Sequence, residues 1–351
     1  MNVFHKNTLI LEENDIIHLI KDKITLENFL KKLFTVMENG FEKFAKRQII
    51  NPPRHEFYFS NGSVETMSAA DNEYFGCKIV NTHKENPSQF GLPTIIANGI
   101  LIDGKTGYPL MIAGSTLLTA LRTGVASAIA TKHLAKKEFS RLGIIGNGVQ
   151  SIPHLHAISL VREPENVFIY DTDYSASLSF KKSASNLFKN MNIEILSNSK
   201  EVCDNSDVLV TATCKHKNTT PIVYNEWIKD GCHINAVGGD SPDKIELEKS
   251  LMERSKVIVD FCDQAVYEGE SQQLHKSKIY ADLSEIITGQ KKGREHKDEI
   301  TIFDSVGFAM EDLQVYKLIY ELAINENIGN QLNISSIPQN SKNIYQSFFD
   351  I

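Results

Sequence analysis

Cysteine is scarce in this 351-residue chain, and its pattern excludes several kinds of protein. The five cysteines are odd in number, widely spaced and without a Cys-x-x-Cys pair. A disulfide framework or a cysteine zinc site is therefore not expected, and reduced thiols fit a cytoplasmic protein. His154 and His156 lie two residues apart in a predicted helix and point to different faces, and the other histidines lack ligand spacing. We expect no metal.

Long apolar runs and an excess of positive charge are also missing. No apolar stretch reaches the roughly 20 residues that cross a bilayer, and the charged first thirty residues lack the apolar core of a signal peptide. With 37 Lys and Arg against 44 Asp and Glu, the net charge of −7 does not favour nucleic acid or an acidic membrane as a partner. The hydrophobic fraction of 41% is ordinary for a globular protein, and the length predicts two domains.

The middle of the chain has the clearest periodicity. An apolar strand over 142–145 is followed by a glycine turn, a helix from about Gln150 and a second strand over 167–170. Further short apolar runs follow, separated by segments long enough for helices, at 208–213, 234–237 and 257–259. This rhythm predicts an α/β fold, a Rossmann-type doubly wound parallel sheet over residues 123–315.

The first 120 residues have a different pattern, which predicts a separate α+β domain with an antiparallel sheet. Amphipathic helix patterns at 12–20 and 25–45 precede strand-like stretches at 56–59, 62–67, 75–80 and 94–103. A later helix pattern over 309–328 indicates that the chain returns to this domain. We therefore predict a discontinuous domain of residues 1–122 with 316–351, interrupted by the Rossmann domain.

The glycine turn is a Gly-x-Gly-x-x-Ser variant of the dinucleotide-binding motif. Gly146 permits a tight turn, Gly148 lets backbone amides approach a pyrophosphate, and the small Ser151 lets helix and strand pack closely. Asp171 ends the next strand, where a carboxylate accepts hydrogen bonds from ribose hydroxyls and repels a 2′-phosphate. The motif predicts NAD rather than NADP as the cofactor, and Asp173 adds charge of the same sign.

A second motif, Asn235-Ala236-Val237-Gly238-Gly239-Asp240, places an acid after an apolar strand. Open α/β sheets bind their ligands at the carboxyl ends of parallel strands. Asp240 is therefore a candidate to hold a substrate ammonium or to act as a general base. The alternative is a helix N-cap that accepts from backbone amides.

Charged residues on the strand-like segments of the first domain are weaker candidates. Arg54, Lys78 and Arg122 could bind a substrate carboxylate, and Glu65 lies among them. Their spacing alone does not distinguish them from exposed surface charges.

Five sequence blocks, taken in order along the chain, resemble the ornithine cyclodeaminase/mu-crystallin family over nearly the full length. The blocks at 235–240 and 303–308 look like its ornithine cyclodeaminase branch, with the archaeal alanine dehydrogenase branch the nearer competitor. The five blocks are 119–123, 146–150, 235–244, 268–273 and 303–312.

The resemblance implies a homodimer, joined through β-structure of the first domain, that binds NAD and an amino acid in the cleft between domains. By motif, Arg54, Lys78 and Arg122 would bind the α-carboxylate, Glu65 the distal amine and Asp240 the α-amine, with Val306 near the substrate. The residues that would line the cofactor are Thr94, Gly146, Asn147, Gly148, Asp171, Thr213, Ile234, Asn235, Ala236, Val237, Lys244 and Ser305.

The implied reaction is the conversion of L-ornithine to L-proline and ammonia, with NAD recycled in each turnover and Asp240 as the base. A lysine-using cyclodeaminase, an NAD-dependent amino-acid dehydrogenase and a ketimine reductase remain alternatives on the same fold. A mu-crystallin-like binding protein without turnover is a further alternative.

Overall fold

The computed structural model describes residues 7–214, 220–335 and 340–349, which form two β-sheets and their covering helices. The strands are β1 Thr8–Leu11, β2 His55–Phe59, β3 Gly62–Ala70, β4 Tyr74–Thr82, β5 Ile95–Asp103, β6 Pro109–Gly114, β7 Arg141–Ile145, β8 Asn166–Tyr170, β9 Asn192–Ile195, β10 Val208–Thr211, β11 His233–Ala236, β12 Lys256–Val259, β13 Ala281–Asp282, β14 Thr301–Asp304 and β15 Asn330–Leu332. The helices are α1 Glu13–His18, α2 Leu26–Ala45, α3 Asn86–Phe90, α4 Thr116–Leu134, α5 Ser151–Val161, α6 Tyr174–Leu187, α7 Ser199–Asn205, α8 Lys249–Arg254, α9 Cys262–Glu268, α10 Leu283–Ile287 and α11 Ala309–Glu326.

The eight-stranded sheet has the order β13-β12-β14-β11-β10-β7-β8-β9, and its strand pairs are all parallel. Strands β10, β11 and β14 are buried along their whole length, as expected for apolar strands covered by helices on both faces. This arrangement confirms the predicted Rossmann-type fold. The carboxyl ends of its central strands meet along one edge, which carries the candidate site.

The seven-stranded sheet has the order β15-β1-β6-β5-β4-β3-β2. Its pairs are antiparallel, as predicted, except that β1 and β6 run parallel. The long strands β3 and β5 alternate between buried and more exposed residues, so one face is covered. Helix α11 packs on β3, β4 and β5 and also against α2.

Two long helices carry the chain between the sheets. Helix α4 starts beside β5 and packs closely on α5 of the other sheet, and α11 leaves the end of β14 to cover the seven-stranded sheet. The predicted limits at 122/123 and 315/316 fall inside these continuous helices, because the chain crosses in helices and not in linkers. The division into two domains at those residues stays a prediction.

One apolar cluster extends from the first sheet into the second. It includes Phe29 and Phe41 of α2, Ile129 of α4, Ile144 of β7 and Phe308 after β14, all fully buried. In the described ranges, the helices are too short or too polar to cross a membrane.

Candidate active site

The glycine turn between β7 and α5 has the shape and the space for a dinucleotide phosphate. Gly146 has a φ of 94°, and a Cβ there would lie 2.5 Å from the carbonyl oxygen of Ala212, so only glycine fits. A Cβ on Gly148 would meet nothing within 4 Å, so open space lies beside it. Helix α5 begins at Ser151, directly after the glycine turn, so its amino-terminal end lies beside this space. The predicted phosphate cradle of Gly146, Asn147 and Gly148 therefore fits this structure.

Asp171 follows β8 directly, and its carboxylate anchors the glycine turn. Its Oδ2 accepts a 2.6 Å hydrogen bond from the Asn147 N–H, and its Oδ1 accepts one of 2.9 Å from the Asp173 N–H. Each carboxylate oxygen has a second lone pair, so it can also accept from ribose hydroxyls. Asp173 instead caps α6 by accepting from the Ser175 N–H at 2.9 Å. Asp171 thus suits a ribose site, whereas Asp173 stabilises a helix.

Other predicted cofactor residues lie where neighbouring parallel strands end. Thr213 follows β10, and both its N–H, at 2.8 Å, and its hydroxyl donate to the buried Glu246. Ser305 follows β14 and donates its hydroxyl to Asp260 at 3.3 Å. Because β10, β11 and β14 are adjacent, Thr213, Val237 and Ser305 share one stretch of the sheet edge.

Ile234, Asn235 and Ala236 lie within β11 and are fully buried. The Asn235 Nδ2 donates to the Thr131 Oγ1 of α4 at 3.0 Å, so this side chain faces the helix. These residues form the strand beneath the sheet edge, and their direct contact with a cofactor stays a prediction.

Thr94 lies in the loop between β4 and β5, on the other sheet. Its carbonyl accepts from the His83 N–H at 2.8 Å, which closes the loop. In the same loop, burial lowers the pKa of Lys84, and Cys214 and Asp240 of the nucleotide-binding half also act on it. A cofactor contact by Thr94 stays a prediction.

Asp240 lies in the segment after β11, and one of its two carboxylate oxygens is paired with Lys244. The Lys244 Nζ lies 2.7 Å from Asp240 Oδ1, and 46% of the Asp240 side chain is exposed. Burial disfavours the charge of Lys244, but Asp240 and Glu246 outweigh this effect and raise the pKa of Lys244. The next helix, α8, begins only at Lys249, so the N-cap alternative for Asp240 is wrong. The exposed part of this carboxylate can bind an ammonium or accept a proton.

Lys78 and Arg122 are buried close together and pair with consecutive acids of α11. The Lys78 Nζ lies 2.9 Å from Asp312, and the Arg122 Nη1 donates to Glu311 at 2.7 Å. Burial, with a smaller contribution from Arg122, lowers the pKa of Lys78 to about 8. Burial also raises the pKa of Glu311 to about 8. The structure thus brings two of the predicted carboxylate ligands together.

Arg54, from the loop before β2, joins the two halves of the molecule. Its Nη1 donates to Glu65 at 2.7 Å, and its Nη2 donates to the carbonyls of Val306 and Gly307 at 2.6 and 2.7 Å. Its Nε lies 3.3 Å from Glu268. A guanidinium has five N–H donors, and three of those of Arg54 are used in these hydrogen bonds. The Nε N–H makes no hydrogen bond in the described structure and points to an acid, so one N–H of Nη1 is the better donor for a ligand. The contact of Arg54 with a substrate carboxylate stays a prediction.

Glu65 is a second acid at this cleft, and it is nearly buried, with 9% of the residue exposed. Burial raises the pKa of Glu65, the Arg54 charge opposes the change, and Glu56 and Asp240 add to it. Arg54, the partner of Glu65, also bonds the Val306 carbonyl after β14, so Glu65 lies beside the carboxyl edge of the parallel sheet, where Asp240 follows β11. Two amines on one ligand could be bound by this arrangement.

Five acids that contact the predicted residues were missed in the sequence: Glu246, Asp260, Glu268, Glu311 and Asp312. Asp260 directly follows an apolar strand, and the last two open a helix, so both positions carried a usable signal. Glu268 carried none, because its partner Arg54 is distant in the chain.

Comparisons with known proteins agree with this geometry. The chain matches the model of the ornithine cyclodeaminase/mu-crystallin family over residues 14–327. Ornithine cyclodeaminase of Agrobacterium fabrum is 33% identical, over 91% of this chain and 89% of that protein.

Two solved structures share the fold. An archaeal alanine dehydrogenase dimer with bound NAD is 34% identical, covers 94% of this chain and 100% of its own, and has a TM-score of 0.86. A lysine cyclodeaminase studied for recognition of L-lysine, L-ornithine and L-2,4-diaminobutyric acid is 30% identical, covers 97% of this chain and 99% of its own, and has a TM-score of 0.91. Because the family model and these relatives cover most of its length, the chain belongs to the ornithine cyclodeaminase/mu-crystallin family.

Proposed function

We propose that this protein is an NAD-dependent amino-acid enzyme and, more narrowly, an ornithine cyclodeaminase that converts L-ornithine to L-proline and ammonia. The observation that carries the narrower proposal is a second carboxylate, Glu65, which Arg54 links to the sheet edge that also carries Asp240. A monoamine substrate such as alanine uses only one of them. A diamino acid uses both, because each ammonium binds a separate carboxylate.

The cofactor is NAD, held by the glycine turn and Asp171. The open space beside Gly148 leaves room for a pyrophosphate, and the Asp171 carboxylate suits ribose hydroxyls while repelling a 2′-phosphate. When bound, NAD would supply hydride transfer at the substrate Cα, in both directions within one turnover.

Asp240 accepts the proton that the α-ammonium loses as the substrate is oxidised to an imine. The neighbouring Lys244 ammonium lies 2.7 Å from one oxygen of this carboxylate and leaves the other oxygen to the substrate. Lys78 and Arg122, with the remaining N–H of Arg54, hold the α-carboxylate and fix the Cα beside the cofactor.

Glu65 holds the distal amine close to the same carbon. The amine is joined to the imine carbon through three methylenes, so its attack is intramolecular and gains a high effective molarity. The distal ammonium passes a proton to the α-nitrogen as the ring closes, so the α-nitrogen leaves as ammonium, and reduction of the cyclic imine yields proline. Hydride leaves and returns within one site, so no net oxidation occurs.

We include a homodimer in the proposal. Strand β2 is the free edge of the seven-stranded sheet, and its consecutive aromatic residues Phe57, Tyr58 and Phe59 are each more than half exposed. An exposed, apolar edge strand is a site of association in most proteins that have one. The solved alanine dehydrogenase relative is a dimer.

The decisive experiment incubates the protein with L-ornithine and a small amount of NAD and follows proline, ammonia and absorbance at 340 nm together. We expect proline in large excess over NAD, with no lasting NADH. L-Lysine and L-alanine are assayed in parallel. Stoichiometric NADH with an α-keto acid would instead identify an amino-acid dehydrogenase, and tight ligand binding without product would identify a binding protein.

The variant Glu65→Gln tests the role of the second carboxylate. We expect KM for ornithine to rise about tenfold or more, the usual effect of losing a charge-assisted hydrogen bond, with little change for norvaline, which lacks the distal amine. Glu56→Gln is the matched control, because Glu56 pairs with Glu65 across β2 and β3 but is bonded by Tyr58. Equal losses for both substrates would contradict the assignment.

A further inference from the structure

Asp260 is a fully buried carboxylate at the carboxyl end of β12, next to the candidate site. Its Oδ2 accepts a 2.6 Å hydrogen bond from the Gly307 N–H and one of 3.3 Å from the Ser305 hydroxyl. Its Oδ1 accepts from the Phe261 N–H at 2.7 Å. Two of these three donors belong to one segment, the turn 305–307 that follows β14.

The turn 305–307 is in contact with both arginines of the site. The carbonyls of Val306 and Gly307 accept both N–H groups of Arg54 Nη2, at 2.6 and 2.7 Å. Gly307 has a φ of 75°, and a Cβ there would lie 2.5 Å from Arg122 Nη1, so the backbone lies directly against that guanidinium. The position of this turn therefore decides where both cations point.

We propose that Asp260 is a positioning residue for the substrate carboxylate, acting through the turn 305–307 on Arg54 and Arg122. A buried acceptor with three donors fixes the turn, because releasing any of these donors would leave a polar group unpaired in the interior. The turn then holds Arg54, which comes from the other half of the molecule. This inference rests on the proposed function only in assigning an amino-acid carboxylate to the two arginines.

The charge state of Asp260 gives the proposal a pH signature. Burial raises the pKa of Asp260 to about 6, against the effects of the Gly307 and Phe261 N–H groups. The charged groups that face it are Arg54, Arg122, Asp282, Asp304 and Glu311, from five different segments. Protonation as the pH falls through about 6 converts one acceptor oxygen into a donor, so the turn loses part of its anchor below that pH.

The test compares wild type, Asp260→Asn, Arg54→Gln and the double variant, measuring KM, kcat and the NAD dissociation constant between pH 5.5 and 8.5. We expect Asp260→Asn to raise KM for ornithine about tenfold, while kcat and the NAD dissociation constant change less than about threefold. In the Arg54→Gln background the same substitution should raise KM less than it does in wild type, because only the contact of the turn with Arg122 remains and residues that act together are not additive. We expect the wild-type KM for ornithine to rise as the pH falls below about 6, and we expect this rise to be absent in Asp260→Asn.

Asp304→Asn is the matched control. Asp304 is equally buried and ends the adjacent strand β14, but its carboxylate accepts from the Glu270 and Ser271 N–H groups and not from the turn. We expect Asp304→Asn to lower stability and leave KM within about twofold of wild type. An equal KM increase in Asp304→Asn, an additive double variant or an unchanged pH profile would each overturn the proposal.

Two results do not by themselves contradict the role of Asp260: an Asp260→Asn variant that does not fold, and a wild-type protein with a different activity. If Asp260→Asn does not fold, the pH dependence of KM in wild type and Arg54→Gln carries the test, since the dependence below pH 6 should vanish without Arg54. A wild-type protein that forms no proline but reduces NAD with another amino acid contradicts the proposed function. The same set of variants then tests Asp260 with that amino acid, and an unchanged KM would overturn the inference.

Discussion

At the residue scale, Asp240 and Glu65 have opposite surroundings, although both are acids at one cleft. Asp240 is half exposed beside Lys244, whereas Glu65 is nearly buried beside Arg54. The exposed acid can exchange its proton with solvent between turnovers. Asp240 therefore suits proton transfer, and Glu65 suits holding a charge in place.

We expect Asp240→Asn to lower turnover by a factor of about 10²–10⁴, because the amide has the shape of the carboxylate but cannot accept the proton. The NAD dissociation constant should change little, since Asp240 is not part of the glycine turn. Asp243→Asn is the control, because Asp243 is exposed and has a φ of 64° that asparagine tolerates. Near-normal turnover of Asp240→Asn would remove the base from the mechanism.

The second prediction at the residue scale attributes the preference for NAD over NADP to Asp171. Its carboxylate oxygens already bind the Asn147 and Asp173 N–H groups, so a 2′-phosphate would meet a fixed negative charge. Asp171→Ser should narrow the difference between the two dissociation constants by at least about tenfold. Titration of both cofactors checks this, and tighter NADP binding by the wild type would contradict it.

At the element scale, the packing of α4 on α5 depends on Gly124. A Cβ there would lie 2.6 Å from the Pro153 carbonyl oxygen, which belongs to helix backbone and cannot move alone. We expect Gly124→Ala to lower the free energy of unfolding by about 1–3 kcal/mol, as overpacking does, measured by urea denaturation.

Gly148→Ala is the matched comparison for Gly124→Ala. A Cβ on Gly148 meets nothing, so stability should be nearly unchanged, while NAD binding weakens because the methyl group projects into the cofactor space. Loss of stability in Gly148→Ala, or its absence in Gly124→Ala, would contradict this interpretation of the two glycines.

Elements with local signals were predictable from the sequence, and elements defined by distant partners were not. The β7-turn-α5-β8 unit and Asp171 were predicted because strand, glycines and acid follow one another in the chain. Strands β1 and β15 were missed because they are short and pair with each other from opposite ends of the chain. The Arg54 contacts with Val306 and Gly307 were invisible for the same reason: they depend on the relative placement of the two sheets.

At the scale of the whole molecule, buried acids set the pH dependence of stability. Burial raises the pKa of Asp260 to about 6, of Asp304 and Glu268 to about 7, and of Glu311 to about 8. In the unfolded chain these acids titrate near about pH 4. Between that pH and the raised pKa values, the folded protein binds more protons than the unfolded chain does. The free energy of unfolding therefore falls as the pH rises. Lys78, with its lowered pKa of about 8, has the opposite effect only above that pH.

We therefore expect a lower thermal midpoint at pH 8 than at pH 6, with NAD held at one saturating concentration. A difference of one bound proton between the folded and unfolded states, kept over one pH unit, changes the free energy of unfolding by about 1.4 kcal/mol. We therefore expect the free energy of unfolding to fall by more than about 1 kcal/mol from pH 6 to pH 8. Asp304→Asn should flatten the slope, because it removes one of the titrating groups. A midpoint that rises from pH 6 to pH 8 would contradict the assignment of these acids.

Helix α4 carries residues of both proposed binding sites. Arg122 is a proposed substrate ligand, and nine residues further, about 13 Å along the helix axis, Thr131 bonds Asn235 of β11 beneath the proposed cofactor site. We expect amino-acid binding at Arg122 to be coupled through this helix to dinucleotide binding, which titration of each ligand with and without the other measures. Linkage is reciprocal, so the factor by which an amino acid changes the affinity for the dinucleotide equals the factor by which the dinucleotide changes the affinity for the amino acid.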